Sequence, residues 1–362
     1  MSKAAELAKA GETLTNQPSG RKNIVTNGAM QVAQRSTSET GLGAAAGYFT
    51  LDRWKIDTAN SAGRFTMTQT ADGPSGFANC LKLDCTTADT SLAASEHLII
   101  SQRFEGQDLQ QIKKGTSDAE LITVSFYVKA SAAFTFGVEL YDADNTRQIT
   151  KLYTTTTGWV RHELTFPADT TGAFTDDNLE SLQLGFWLHA GSTFASGTLN
   201  TAAWAENDNA NRAAGIDSFY SSTDNNFFIT GVQLEVGSQA TNFEHRSFGE
   251  ELALCQRYGW NIAAVVNGRV GVGQAVSATQ ADILVNHPVT MRAAPTLPSP
   301  DASGANITSG DGSGIASTGI AVQSATTNAT RFRVTVSSGL TAGQGSQLSF
   351  DATDDAFLTA EL

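Results

Sequence analysis

The stretch FFITGVQLEVGSQATNFEHRSFGEELALCQRY (residues 227–258) decides how this chain is read, because a strand, a loop and a short helix follow one another in it without interruption. Phe228, Thr230, Val232, Leu234 and Val236 share one parity, and Ile229, Gly231, Gln233 and Glu235 the other, the period of two that an extended chain imposes on its faces. The spacing predicts a strand with one apolar face that closes a sheet. Beyond Gly237 the chain turns, and residues 250–257 are good helix formers with acids in front and a base behind, as the helix dipole favours. A short connector helix is expected over 248–260.

Working outward from this cassette, the same period recurs in GRFTMTQT (63–70), CLKLDC (80–85), EHLIISQRF (96–104), LITVSFYVKA (121–130), FTFGVELYD (134–142), WVRHELTF (159–166) and SLQLGFWLH (181–189). Turn residues separate these runs, and an Asn27-Gly28 turn signal lies near the start. SLQLGFWLH is almost continuously apolar, as in a strand covered on both faces, whereas WVRHELTF alternates and should have one wet face. The expected fold is all-β: a jelly-roll β-sandwich over 21–247, then the short helix, then a smaller β domain over 261–362. Composition agrees, with 33 glycines and only 16% charged residues in 362. That length exceeds what one core fills, about 250–300 residues.

A net charge of −13 and a pI near 4.8 argue against nucleic acid, which needs clustered bases to release phosphate counterions. No apolar run is long enough for a membrane helix or a signal peptide. Residues 1–20 combine a short helical spacing at Ala4, Ala5, Leu7 and Ala8 with a Gly-, Asn- and Pro-bearing linker. Cys80, Cys85 and Cys255 form neither a disulfide framework nor a zinc pattern, and the first two have opposite parity in one strand.

Taken together, NIVTNGAMQVAQRSTS (23–38), YFTLDRW (48–54), QRFEGQDLQQIKKG (102–115), VSFYVKAS (124–131), TTTTGWVRHELTF (154–166) and the cassette itself resemble bacteriophage virion proteins of the tail-fibre and receptor-binding type. The resemblance spans roughly residues 1–260 and implies a jelly roll like those of carbohydrate-binding modules. It further implies a virion location, a homotrimer, and attachment to other virion proteins through residues 1–20. A decoration or assembly protein without receptor binding is the alternative, and a polysaccharide depolymerase a third reading.

No hydrolase, nucleotide-binding or metalloprotease motif occurs. His162–Glu163 and Glu244–His245 are adjacent acid and imidazole pairs, but neighbours on a strand face opposite ways, so catalysis is not expected, nor is a cofactor. Asp142, Asp144 and Asn145 resemble the start of a calcium loop, yet Arg147 stands where glycine is needed, and a β-turn is expected with no metal. For a glycan site, which calls for an exposed aromatic face beside amides and carboxylates, the loop 191–226 offers Trp204, Glu206, Asn207, Asp208, Asn209, Asn211, Arg212 and Tyr220. The competing reading makes Trp204 a plug and the Asn and Asp residues turn formers. Trp54, Trp159 and Trp187 lie in strand patterns and are expected in the core. Pro295, Pro298 and Pro300 suit an edge or connector, and the Gly- and Ser-rich C-terminal strands should need their edges covered by neighbouring subunits.

Overall fold

The computed structural model describes Lys3 and residues 21–59, 61–264, 268–298, 304–310, 312–351 and 356–362. The expected N-terminal helix and the position of Pro300 lie outside the described residues. Contacts divide the chain into two units, Met1–Arg246 and Ser247–Leu362. In the first, the strands are β1 (Ser38–Leu42), β2 (Gly47–Tyr48), β3 (Lys55–Ala59), β4 (Arg64–Thr70), β5 (Cys80–Thr87), β6 (His97–Glu105), β7 (Ile122–Ala130), β8 (Thr135–Asp142), β9 (Arg147–Thr154), β10 (Val160–Phe166), β11 (Glu180–Ala190), β12 (Ala205–Glu206) and β13 (Asn226–Val236). One sheet runs β1-β4-β5-β13-β7-β10 and the other β12-β9-β8-β11-β6-β3-β2. The chain passes repeatedly from one sheet to the other, and all pairings are antiparallel, which makes this a jelly-roll β-sandwich. Its core is built from alternate residues of facing strands, among them Phe65, Leu83, Phe126, Phe136, Leu184, Phe186 and Trp54.

β13 departs from the simple alternation. Its register against β7 shifts between Thr230 and Gln233, and Gly231 there has φ +61. The bulge inserts a residue and reverses the parity: Phe227 and Ile229 face the core before it, Val232 and Leu234 after it. Phe228, expected on the apolar face with Val232 and Leu234, therefore points to the outer face of the sheet. A side chain at Gly231 would meet Phe77 Cζ at 2.7 Å and Tyr127 Cδ2 at 2.9 Å, so glycine is required by space as well as by φ.

Pairing with β5 covers only Asn226 to Ile229, and the remaining edge of β13 passes to the N-terminal segment. Asn23 Nδ2 donates to Val232 O at 3.1 Å, Leu234 N donates to Asn23 Oδ1 at 3.1 Å, and Val232 N donates to Gly28 O at 3.0 Å. The Asn27-Gly28 signal is thus a turn, but one that latches an edge instead of joining two strands. Asn27, at φ 57, donates to the carbonyls of Val32 and Asp52 and accepts from the amides of Gln31 and Val32.

The β8–β9 turn carries no cation-binding loop. Asp142 accepts from Asn145 N at 3.0 Å, a local side-chain-to-backbone bond across the turn, and its other oxygen meets Lys114 Nζ at 2.5 Å. Lys114, with 1% of its side chain exposed, also reaches Asp169 at 3.1 Å and the carbonyls of Thr171 and Gly172 at 2.8 Å each. Arg147 completes the cluster at 2.8 Å from Asp169. Burial pushes the Asp169 carboxyl up, but Arg147, the Thr171 amide and Lys114 outweigh it and hold it below the ordinary value. Among the described residues no group of acids, histidines and cysteines could hold a metal. The three cysteines are free and buried; Cys85 lies in the core and Cys80 on the opposite face, as their parity predicts, with burial pushing the Cys80 thiol to about 11.

The second unit contains α2 (Phe248–Gln256; α1 is the single turn Ser192–Ala195), β14 (Gly259–Asn261), β15 (Arg269–Ala275), β16 (Gln280–Asn286), β17 (Ala305–Ser309), β18 (Ser313–Ala325), β19 (Ala329–Val336), β20 (Gly345–Phe350) and β21 (Phe357–Thr359). Ser247 caps the helix by accepting from Glu250 N. Strands β15-β16-β19-β18-β17-β20 close into a barrel around Ile283, Val285, Ile307, Phe332, Val334, Leu348 and Phe350. Closure joins the first barrel strand to the last, so of the exposed edges expected for this domain what remains is along β18, whose residues 313–316 pair only with β17 and residues 317–325 only with β19. Asp282 and Arg333, directly opposite across β16 and β19, form a two-pronged ion pair at 2.8 and 2.9 Å. Pro295 and Pro298 flank Thr296, which bridges to Thr359 as a connector segment.

Removing Lys114 leaves two buried carboxylates facing one another, so Lys114→Met should destabilise the sandwich by about 3–5 kcal/mol, measured by urea unfolding at pH 7.5. A loss under 1 kcal/mol would show that the lysine is not the keystone of these loops.

Candidate functional site

The outer face of the six-stranded sheet is half covered. Over its lower half Phe77, Tyr127, Phe243 and His245 stack in one aromatic cluster with centroids 4.9–5.3 Å apart. Beside them Thr241 bonds to both oxygens of Glu235. Among the described residues the upper half has no such cover. There the register aligns Ser38, Thr68, Lys82, Phe228 and Lys129 across β1, β4, β5, β13 and β7. Trp159, the residue before β10, stands next in this row, because Val160 pairs with Val128.

Trp159 is half-buried and lies outside the core; its ring sits 6.3 Å from Phe228 at an edge-on angle of 74°. Lys129 Nζ lies 4.5 Å from the Phe228 ring and 5.3 Å from that of Trp159, with Lys82 Nζ 5.4 Å from Phe228 on the other side. Asp72 meets Lys129 at 2.6 Å and Asp84 meets Lys82 at 2.5 Å. Thr40 and Thr66 extend the row of hydroxyls, 2.9 Å apart. An aromatic edge, two ammonium groups, two carboxylates and a line of hydroxyls thus share one open face, and the Trp159 indole N–H, itself buried, finds no hydrogen-bond partner among the described residues. Such a face can stack on the C–H patch of a pyranose and donate to and accept from its hydroxyls.

The loop favoured by the sequence is built differently. Trp204 is 7% exposed, donates through Nε1 to Pro167 O at 2.9 Å, and lies beneath the Lys114 ammonium. Tyr220 is fully buried against Phe65, Phe219 and His189. Neither offers a ring to solvent, which corrects the expectation of an aromatic platform here. Arg212 is bound by Glu139 at 2.8 and 2.7 Å and lies over the rings of Tyr141 and Trp187. Asp208 caps a single helical turn by accepting from Ala210 N, Asn211 accepts from Thr198 N, and Asn207 lies 3.5 Å from Asn209. With Phe194, Ala195, Ala213 and Ile216 packed on Ile99 and Trp187, the segment is a strap over the second sheet. Asn207, Asp208, Asn209 and Asn211 remain at the surface as amide and carboxylate groups without an aromatic beside them.

Trp54 and Trp187 are fully buried as expected, whereas Trp159 is not a core residue. The signal for it was present in WVRHELTF: Trp159 has the parity of Arg161, Glu163 and Thr165, the wet side of its strand.

The acid and imidazole pairs are structural. His162 faces inward against Phe126 and Tyr153, while Glu163 faces outward to Arg161. Glu244 accepts from the amides of Lys22 and Asn23, and His245 stacks on Phe77. A further chain joins Ser218 Oγ to His189 Nδ1 at 2.8 Å and His189 Nε2 to Glu96 at 3.4 Å. The imidazole is 0% exposed and Ser218 Oγ accepts from Tyr220 N, so the chain braces the strap and offers nothing to a substrate. Burial lowers His189 below the ordinary histidine value, and the opposing pull of Glu96 does not restore it.

No family model matches the chain. No curated protein matches it in sequence. Among solved structures it is similar to a CBM4 module (13% identity over 59% of this chain and 99% of that one, TM-score 0.31). It is also similar to the CBM22-1 xylan-binding domain of Paenibacillus barcinonensis Xyn10C (11% identity, 61% and 100% covered, TM-score 0.30). A third similar structure is the enzymatically active domain of tailspike protein 4 of bacteriophage CBA120 (10% identity, 59% and 21% covered, TM-score 0.30). At these TM-scores the likenesses carry no argument, and the fold rests on the strand order itself.

Because folded His189 binds its proton less readily than the unfolded residue, the stability it contributes is complete above the unfolded value, about 6.5, and declines as pH falls through the folded one. Unfolding midpoints in urea should therefore drop between pH 7.5 and pH 5, and His189→Gln should flatten the slope. An identical slope in the variant would remove His189 as its source.

Proposed function

We propose that this protein is a non-catalytic glycan-binding adhesin of a bacteriophage virion, a tail fibre or spike subunit. The observation that carries the binding reading is the open sheet face, where the half-buried Trp159 stands beside the buried Phe228 ring among Lys82, Lys129, Asp72, Asp84 and a row of threonines. Non-catalytic action fits the chemistry of that face. Both carboxylates are tied to lysines, and neither is left as the proton-bearing acid that glycoside hydrolysis requires. The virion assignment rests on the resemblance of the quoted sequence blocks to fibre and receptor-binding proteins. Homotrimeric assembly rests on that resemblance, since the barrel closes and leaves only β18 paired on one side at a time. Several copies on one particle would turn weak glycan contacts into firm adhesion.

Trp159→Ala should weaken adsorption of the purified protein to host cells by about tenfold or more, with a melting temperature close to the parent's. If the variant adsorbed normally, the open face would not be the adhesive site. A protein found by cryo-EM on the head, and unable to bind cells or block infection, would instead be a decoration or assembly component. Light scattering at micromolar concentration should report the mass of a trimer, and a monomer would remove the trimeric reading.

A further inference from the structure

Building on the glycan reading of the open sheet face, and resting on it, we infer that the preferred ligand is a polysaccharide whose sugars carry carboxylates. Three ion pairs on this face share one asymmetry: the base lies deeper than the acid. Side-chain exposure is 18% for Lys129 against 51% for Asp72, 28% for Lys82 against 38% for Asp84, and 24% for Arg161 against 50% for Glu163. The bases belong to the floor. Lys129 and Lys82 lie over the Phe228 ring, and Arg161 donates to Thr241 O and lies 5.9 Å from the ring of Tyr127. The acids approach from the rim.

Ion pairs this exposed contribute about 0–1 kcal/mol each, so a ligand carboxylate can take the place of Asp72 or Asp84 at little cost and inherit the cation. A neutral sugar has no such exchange to make and meets ammonium groups already over Phe228. The preference runs against the chain's composition, which carries 36 acids against 23 lysines and arginines. The repulsion this implies is screened beyond about 8 Å at physiological salt, whereas contact pairs are not. Lys82 and Lys129 lie on the strands either side of β13, two strand spacings or about 10 Å apart, so a run of sugars and not a single one meets both.

The test is calorimetric titration of the full chain with a galacturonic acid hexamer, with its methyl ester, and with cellohexaose. The free acid should bind at least about tenfold more tightly than the ester. The Lys82→Met, Lys129→Met double variant, which keeps both aliphatic stems, should bring acid and ester within about threefold at an unchanged melting temperature. Equal or tighter binding of the ester or of cellohexaose would overturn the inference and leave the glycan site standing. No heat with the acid would overturn it too, and the site itself then stands or falls on whether Trp159→Ala loses adsorption to cells.

Discussion

The architecture of the first unit turns on a single inserted residue. Gly231 gives β13 a bulge that neither a larger side chain nor another backbone geometry would allow, since Phe77 and Tyr127 occupy the space where a Cβ would stand. With the bulge, Phe227, Ile229, Val232 and Leu234 all reach the core from a strand that would otherwise bury only one parity. Phe228 is left on the outside, and the stretch of β13 beyond β5 is completed by Asn23 and Gly28. Core, latch and candidate site share this one cause.

Buried charge then fixes the loops. Lys114 gathers Asp142, Asp169 and two carbonyls beneath Trp204, and Arg212 ties the strap to Glu139 on the second sheet. Each of these pairs would be costly to break from one side only, so the loops they hold have one arrangement. The strap therefore covers the second sheet around Ile99 and Trp187, whereas the ion pairs of the first sheet lie at its exposed rim.

The period-2 runs in GRFTMTQT, LITVSFYVKA, FTFGVELYD and WVRHELTF marked strands because alternation follows from backbone geometry and needs no partner to be visible. The short helix and the turn at Asp142 were legible for the same reason: caps and side-chain-to-backbone turn bonds are local. The site was not. Trp204 and Tyr220 sit in a polar loop and look exposed, but the loop folds back onto apolar surface and buries both. Trp159 sits in an apolar-looking strand and looks buried, but among the described residues no second layer lies above its part of the sheet face.

The sequence alone determined an all-β chain, a sandwich followed by a short helix and a second β domain, and three cysteines without a framework, because each follows from periodicity and composition. Only the tertiary structure decided which face of each strand meets water. A bulge reverses parity without altering the residues on either side of it, and cover for a sheet face comes from segments far away in the chain. The closing of the C-terminal strands into a barrel belongs to the same class, since whether a last strand meets the first depends on the register accumulated over all of them.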